Sequence, residues 1–256
     1  MATNASFLYY RSKNFGKDLH EKKIEELLGI TSNTLDNCVK ICDIPYLEYF
    51  MIYGAMSFSL KTTYPGLIIG AGYNHPAGEK EEGQSSDFQL GFYFDHTTGM
   101  PVIPGSTVKG ILKSVFPKDE DTEEIKKEKL IYVNTILNKE NLLKQNNWER
   151  LFEKGNIFFD AYVSGIPENG KIFAEDYITP HTKGPFKNPT PIRFLKIAPD
   201  VTFTFQIKLK DSNLGGDNQI ITASEKLALF KKILLDFGIG AKRNVGYGNF
   251  KLQKET

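Results

Sequence analysis

The segment GIGAKRNVGYGNF, Gly238 to Phe250, sets four glycines and the adjacent cations Lys242 and Arg243 within Gly238–Gly248. Glycine lets a backbone turn tightly and come close to a ligand. Peptide N–H groups left exposed beside a lysine and an arginine match phosphate oxygens in both charge and hydrogen bonding. The segment therefore reads as a seat for a phosphodiester chain. Mononucleotide motifs do not account for it. A P-loop needs GxxxxGK followed by Ser or Thr, and no Gly-Lys pair here has that context. A dinucleotide fingerprint needs GxGxxG between a strand and a helix, whereas this loop follows a helical pattern and precedes a strand-like one. Gly246-Tyr247-Gly248 matches part of an RNA-recognition strand motif, with Val245 standing where a cation is expected and Asn249 where an aromatic is. A surface hairpin that turns on its glycines and binds nothing is the alternative for this segment alone.

A second phosphate-compatible pattern is PVIPGSTVKGILKSVF, Pro101 to Phe116. Pro104-Gly105 makes a turn, Ser106 can cap the helix that follows, and a helix N-terminus offers free N–H groups and partial positive charge. Lys109 and Lys113 are four apart, so both project from one side, away from the apolar face. Two solvated lysines would explain that spacing equally well.

Catalytic chemistry finds less support. General acid–base cleavage of RNA wants a histidine titrating near ~6.5, or a metal held by carboxylates. The four histidines, His20, His75, His96 and His181, are scattered along the chain. His20 falls in a mixed-charge helix, His75 in a polar loop, His96 in a hairpin turn, and His181 in DYITPHTKGP, where a structural or RNA-adjacent role fits best. Asp160 and Asp176 lie on strands expected to neighbour each other, but two carboxylates without a third ligand make a poor metal site. Cys38 and Cys42, four apart with no second pair or nearby histidine, read as buried free thiols. The expectation is no catalytic residue, no metal and no cofactor.

The elements that must position these residues follow from periodicity. Asp18 to Leu28 is a surface helix in pattern, and Met56 to Ile69 is one or two strands broken at Tyr64-Pro65-Gly66. Tyr73 to Ser86 is turn-rich, and Phe88 to Ile103 reads as a hairpin turning at DHTTG. From Ser106 to Phe116, Val108, Ile111, Leu112, Val115 and Phe116 make one apolar helical face. Residues 119–152 are charge-dense and helical, with Leu130, Trp148, Leu151 and Phe152 as packing residues. Strands are expected over Asn156–Val163, Lys171–Ile178, Thr190–Ile197 and Val201–Leu209. The last helix spans Thr222 to Phe237, with Thr222 and Glu225 at capping-box spacing and Leu227, Phe230, Ile233, Leu234 and Phe237 as its buried stripe. Stripped of inserts the order is strand, helix, strand, strand, helix, strand. That predicts an α+β fold of ferredoxin-like type, an antiparallel sheet with two helices on one face. Residues 1–256 are expected to form one elaborated domain, with 1–50 a helical extension at the N-terminus and 119–152 a helical insert.

Composition sets bounds. The chain has 256 residues, 40% of them hydrophobic, with 19 Phe and 12 Tyr, enough to bury a core. The formal net charge is +1, so any nucleic-acid contact must come from locally placed cations. The first residues lack an apolar signal core and no run approaches the ~18 apolar residues of a membrane span, so a soluble, cytoplasmic protein is expected.

PGSTVKGILKSVF opening the first core helix, with GIGAKRNVGYGNF after the last, resembles the RAMP superfamily of CRISPR RNA-binding proteins. In that superfamily a glycine-rich loop follows the second helix of a ferredoxin-like domain. LGFYFDHTTGMPVIPGSTVKG, FFDAYVSG, DYITPHTKGP and NPTPIRFLKIAPDVTFTFQI are similar to the branch found in Cmr (type III-B) effector complexes. The resemblance spans Leu60 to Phe250. It implies a backbone subunit that grips CRISPR RNA near the 3′ end of the guide, caps a filament of related RAMP subunits, meets target RNA only indirectly and does not cleave. Carried over residue by residue, Gly105, Ser106, Lys109 and Lys113 match the first-helix motif. Gly240, Ala241, Lys242, Arg243, Asn244 and Gly246 match the glycine-rich loop, beside Tyr247 of the partial RNA-recognition motif. The family loop often carries a small hydroxyl residue after its first cation, where this chain has Arg243. The other reading within the superfamily is an endoribonuclease acting on precursor CRISPR RNA or on target RNA.

Overall fold

The computed structural model describes residues 51–69, 93–95, 100–178, 192–215 and 219–253. Its strands are β1 (Met56–Thr62), β2 (Tyr93–Phe94), β3 (Pro101–Ile103), β4 (Ile157–Phe158), β5 (Ala161–Gly165), β6 (Phe173–Ile178), β7 (Ile192–Ile197), β8 (Thr202–Lys208), β9 (Ser212–Asn213), β10 (Ile220–Ile221) and β11 (Phe250–Leu252). The helices are α1 (Gly105–Ser114), α2 (Glu123–Leu137) and α3 (Ala223–Phe237). A seven-stranded sheet runs in the order β11-β1-β8-β5-β3-β2, with β4 also paired to β8, and every pairing is antiparallel.

Alternation explains the sheet's two faces. In β1, Phe58, Leu60 and Thr62 are buried, and in the register with β8 Phe58 lies opposite Phe205 and Leu60 opposite Phe203. Phe58 and Phe205 stack at 5.3 Å, and Phe250 of β11 meets Phe205 edge-on at 5.7 Å. The intervening positions carry a polar row instead, in which Ser59 shares a hydrogen bond with Thr204 at 2.7 Å and Thr204 donates to Ser164 at 2.7 Å. Period-two patterning thus assigns apolar side chains to one face and hydroxyls to the other, except at the end of β1, where the buried Thr62 hydroxyl donates to the Ala198 carbonyl at 2.9 Å.

Helix α1 buries Val108 and Leu112, with Val115 and Phe116 just beyond it and Ile111 half-buried, as its periodicity predicts. Helix α3 begins with both halves of a capping box, Thr222 accepting from Glu225 N–H and Glu225 reaching back to Thr222 N–H. Its buried face is Lys226, Leu229, Phe230, Ile233 and Leu234. The expected stripe is therefore rotated: Leu227 is half-buried, and Phe237 is 40% exposed and meets Tyr132 edge-on at 5.3 Å. Lys226 can lie inside because its ammonium donates to the Lys210 carbonyl at 2.5 Å and to Asn156 at 3.4 Å; burial pulls its pKa down.

Two other expectations are corrected. Residues 119–152 are not continuously helical. Asn138 turns left-handed at the end of α2, and the chain returns through the Asn134 side chain, which bonds Leu143 N–H at 2.8 Å and its carbonyl at 3.0 Å, to a 3-10 turn over Trp148–Phe152. Trp148 there stacks on Phe116 at 5.0 Å, and Leu151 and Phe152 are buried. The strand expected over Asn156–Val163 is broken between β4 and β5, where Asp160 turns aside to α1. Between β8 and α3, the short strand β9 pairs with β10.

The β6–β7 hairpin is a separate two-stranded sheet, joined to the segment after β1 by a Leu67–Ile197 bridge. Asp160 and Asp176 therefore do not lie on neighbouring strands, because β5 pairs with β3 and β8 while β6 pairs with β7. The helix expected at Asp18–Leu28, both cysteines, the Tyr73–Ser86 loop and all four histidines lie outside the described residues.

Strand registers separate the two phosphate-compatible segments. At one end of the sheet Thr62 lies opposite Phe250, and the glycine-rich segment arrives there. At the other end Met56 and Phe158 both lie opposite Ile207, and α1 starts there, entered from β3. With about 3.3 Å per residue along β1, the two ends stand about 20 Å apart.

Candidate nucleic-acid interface

Three segments converge at the Thr62 end of the sheet: residues 63–68, the β6–β7 hairpin, and the loop from Gly238 to Asn249. The loop is pinned along both arms. Ile239 N–H donates to Gly248 O at 2.9 Å, Ala241 N–H to Ile68 O at 2.7 Å, and Gly248 N–H to Gly66 O at 2.8 Å. Two glycines make these approaches possible. A Cβ on Gly248 (φ 76°) would lie 1.8 Å from Ile239 O, and one on Gly240 (φ 95°) would lie 2.2 Å from Ile68 O. Those two missing side chains face protein backbone, so here the close approach made by glycine is internal rather than to a ligand.

The apex projects. Lys242 takes a left-handed conformation (φ 57°), opens a short 3-10 turn over Arg243–Val245, and Gly246 closes it. Lys242, Arg243 and Asn244 are exposed, and Val245 is 67% exposed. Arg243 also donates to the Phe237 carbonyl at 3.2 Å, placing its charge against the C-terminal end of α3. Ala241 and Gly246 are half-buried. Tyr247 is buried, and its hydroxyl donates to Asp176 Oδ2 at 2.5 Å.

Asp176 binds the loop to the hairpin. The same carboxylate oxygen accepts from Lys196 at 2.5 Å, and the Lys196 side chain is only 8% exposed. Burial alone would raise the Asp176 pKa, but the hydrogen bonds from Lys196 and Tyr247 outweigh it and hold the carboxyl below its usual value. Burial and the Asp176 bond push the Tyr247 phenol well above its ordinary range. Lys196 Nζ also lies over the rings of Tyr247 at 5.6 Å and Tyr64 at 5.9 Å. Sequence reasoning missed this network, since Tyr247 and Asp176 are 71 positions apart.

The first-helix residues occupy the other end of the sheet. Ser106 does not cap α1: the N-cap is Pro104, which lacks a side-chain donor or acceptor, and Gly105 N–H donates instead to Asp160 Oδ1 at 2.7 Å. Gly105 packs so closely that a Cβ would lie 2.1 Å from Phe158 O. That approach leaves Ser106 one position inside the helix, where it is exposed. Lys109 and Lys113 do not stand clear of the protein. Lys109 Nζ lies 5.8 Å from the centre of the Phe158 ring, and Lys113 Nζ lies 5.8 Å from Phe152 and 6.0 Å from Trp148. Long cationic stems cover apolar surface in this way while their heads stay wet. Among the described residues no cluster of three or more His, Cys, Asp or Glu is placed to hold a metal ion, and no helix is long and apolar enough to cross a membrane.

The RAMP superfamily model matches residues 59–251. The chain is 30% identical over 258 residues to the Cmr6 subunit of the CRISPR Cmr system of Saccharolobus solfataricus, covering 95% of this chain and 77% of that one. A chain in a cryo-EM structure of type III-B Cmr-beta bound to cognate target RNA is 26% identical, with a TM-score of 0.53, 95% of this chain and 76% of that chain being covered. The crystal structure of Cmr6 from Pyrococcus furiosus is 21% identical, with a TM-score of 0.44, covering 79% of this chain and 100% of that one. The chain belongs to the RAMP superfamily and, within it, to the Cmr6 family.

Proposed function

We propose that this chain is a non-catalytic backbone and capping subunit of a type III-B (Cmr) RNA-guided effector complex in the cytoplasm, and that it holds the 3′ region of the guide RNA. The observation that carries the reading is the apex Lys242-Arg243-Asn244, exposed on a turn whose two arms are hydrogen-bonded to the rest of the fold. A fixed turn presenting two cations loses little entropy when a phosphate arrives. Contacts of this kind go to the RNA backbone and leave bases free to pair with target RNA, so binding should be independent of guide sequence. With a net charge of +1, the chain relies on neighbouring RAMP subunits for avidity.

Residues 1–256 are taken as one elaborated ferredoxin-like RAMP domain. The spatial order β11-β1-β8-β5, with α1 preceding β5 and α3 linking β8 to β11, supports that topology. Gly105, Ser106, Lys109 and Lys113 form a weaker second contact about 20 Å away, because Asp160 already occupies the Gly105 N–H. Tyr247 and Gly240 act by fixing the loop. The endoribonuclease alternative gains nothing from Asp160, which serves as a helix cap.

Ultraviolet crosslinking of the assembled complex to its guide, followed by peptide mapping, tests the reading. A crosslink within Gly238–Phe250 is expected. Its absence would make the chain a protein–protein scaffold. Incubation of the purified chain with labelled RNA, with and without magnesium, should leave the RNA intact. Reproducible cleavage lost on His181→Ala would instead identify a nuclease.

A further inference from the structure

We infer that Tyr64 is a stacking platform for one nucleobase of the RNA strand held at the glycine loop; the inference rests on the reading that this loop holds guide RNA. Between Thr62 and Ile69 the chain is buried or half-buried except at Tyr64, which is 83% exposed. Its backbone neighbours are fixed to the loop on both sides. Thr63 N–H donates to Asn249 O at 3.0 Å, the Thr63 hydroxyl reaches the same oxygen at 3.2 Å, and Gly66 O accepts from Gly248. Pro65 Cδ lies 3.3 Å from the position a Cβ would take on Gly246, the residue that closes the cationic turn. The backbone that carries Tyr64 is thus fixed against the glycine loop, one residue from the proline that packs on the closing residue of the cationic turn.

The ring is also held from one side. Lys196 Nζ lies over it at 5.9 Å, and Lys196 is itself fixed by Asp176 at 2.5 Å. The cation engages the ring while most of the side chain remains open to solvent. A pre-set aromatic surface next to a phosphate-binding turn is what single-stranded nucleic acid needs, because each nucleotide presents a backbone charge and a base face together. Every base has such a face, so the platform accepts any base and adds affinity without reading sequence. The ligand class is an unpaired nucleotide of RNA, its phosphate on the loop and its base on Tyr64.

The test compares assembled complexes carrying wild-type chain, Tyr64→Ala, Tyr64→Phe, the exposed control Tyr53→Ala, and Lys242→Ala with Arg243→Ala. Tyr64→Ala should weaken guide retention roughly 5- to 150-fold, the equivalent of one base–aromatic stack, with an unchanged salt slope. Tyr64→Phe and Tyr53→Ala should match wild type. If Tyr64→Ala is silent while the cation pair flattens the slope, the platform falls and the loop reading stands. If Tyr64→Phe loses as much as Tyr64→Ala, the hydroxyl rather than the ring face is used and the platform also falls. If the cation pair is silent, the loop reading falls. In that event photocrosslinking of guides bearing 5-iodouridine at successive positions to wild-type complex decides Tyr64 by itself: a crosslink to Tyr64 supports the platform, and none at any position overturns it.

Discussion

Replacing Asp176 with Asn should be the most damaging conservative change near the loop. One carboxylate oxygen accepts from both Tyr247 and Lys196, each at 2.5 Å. Hydrogen bonds to a charged group contribute about 1.5–3 kcal/mol apiece, so the pair sets an upper bound of about 3–6 kcal/mol. The Asp176 side chain is 31% exposed, so water will resolvate part of what is lost. Lys196, at 8% exposed, is left as a nearly buried charge without its counter-ion, which works in the opposite direction. A net destabilisation of about 2–3 kcal/mol is expected, or roughly 5–10 °C in Tm for a chain of this size. Denaturant melts of wild type, Asp176→Asn, Tyr247→Phe and the double variant should give a coupling energy of about 1 kcal/mol or more. Additivity within about 0.3 kcal/mol would refute the idea that Asp176 holds the loop through Tyr247.

Two further expectations follow from the same geometry. The Asp176 pKa is lowered from its usual 3.8, so the unfolded chain takes up the proton first as pH falls. The stabilisation is complete above the unfolded pKa and is lost as pH drops through the lower folded one, so the stability gap between wild type and Asp176→Asn should narrow below about pH 4. Gly248→Ala should destabilise the protein by more than about 2 kcal/mol, since it combines left-handed strain with a 1.8 Å clash against Ile239 O. Gly246→Ala meets only Pro65 Cδ at 3.3 Å and should cost about 1 kcal/mol, as read by melting; equal losses at the two sites would contradict the packing described for the loop.

What was legible in the sequence was local. The α1 stripe, the Thr222–Glu225 capping box and the break at Tyr64-Pro65-Gly66 depend on residues a few positions apart, where spacing is a direct record of geometry. The cations of the loop were legible too, because glycine and charge mark an exposed turn. The errors arose where a distant partner decides. Ser106 has the right chemistry for a cap, but Asp160, 55 positions from Gly105, reaches that N–H first. Lys226 falls outside the expected stripe of α3, yet it lies inside because Lys210 O and Asn156 receive it. Phe237 continues the apolar period of α3, yet it sits at the helix end, where the chain turns away at Gly238 and leaves it 40% exposed against Tyr132. Asp176 gave no local sign of its partners, and its neighbour strand had to be seen.

The central claim is that Lys242 and Arg243 hold guide phosphates, and the salt dependence of guide retention in the assembled complex tests it most directly. For single-stranded nucleic acid the slope of log K against log salt changes by about 0.7 for each phosphate contact. Replacing both cations with alanine should flatten the slope by about 0.7–1.4, the lower figure applying if Arg243 mainly serves the Phe237 carbonyl. Parallel lines for wild type and the double variant would contradict the account.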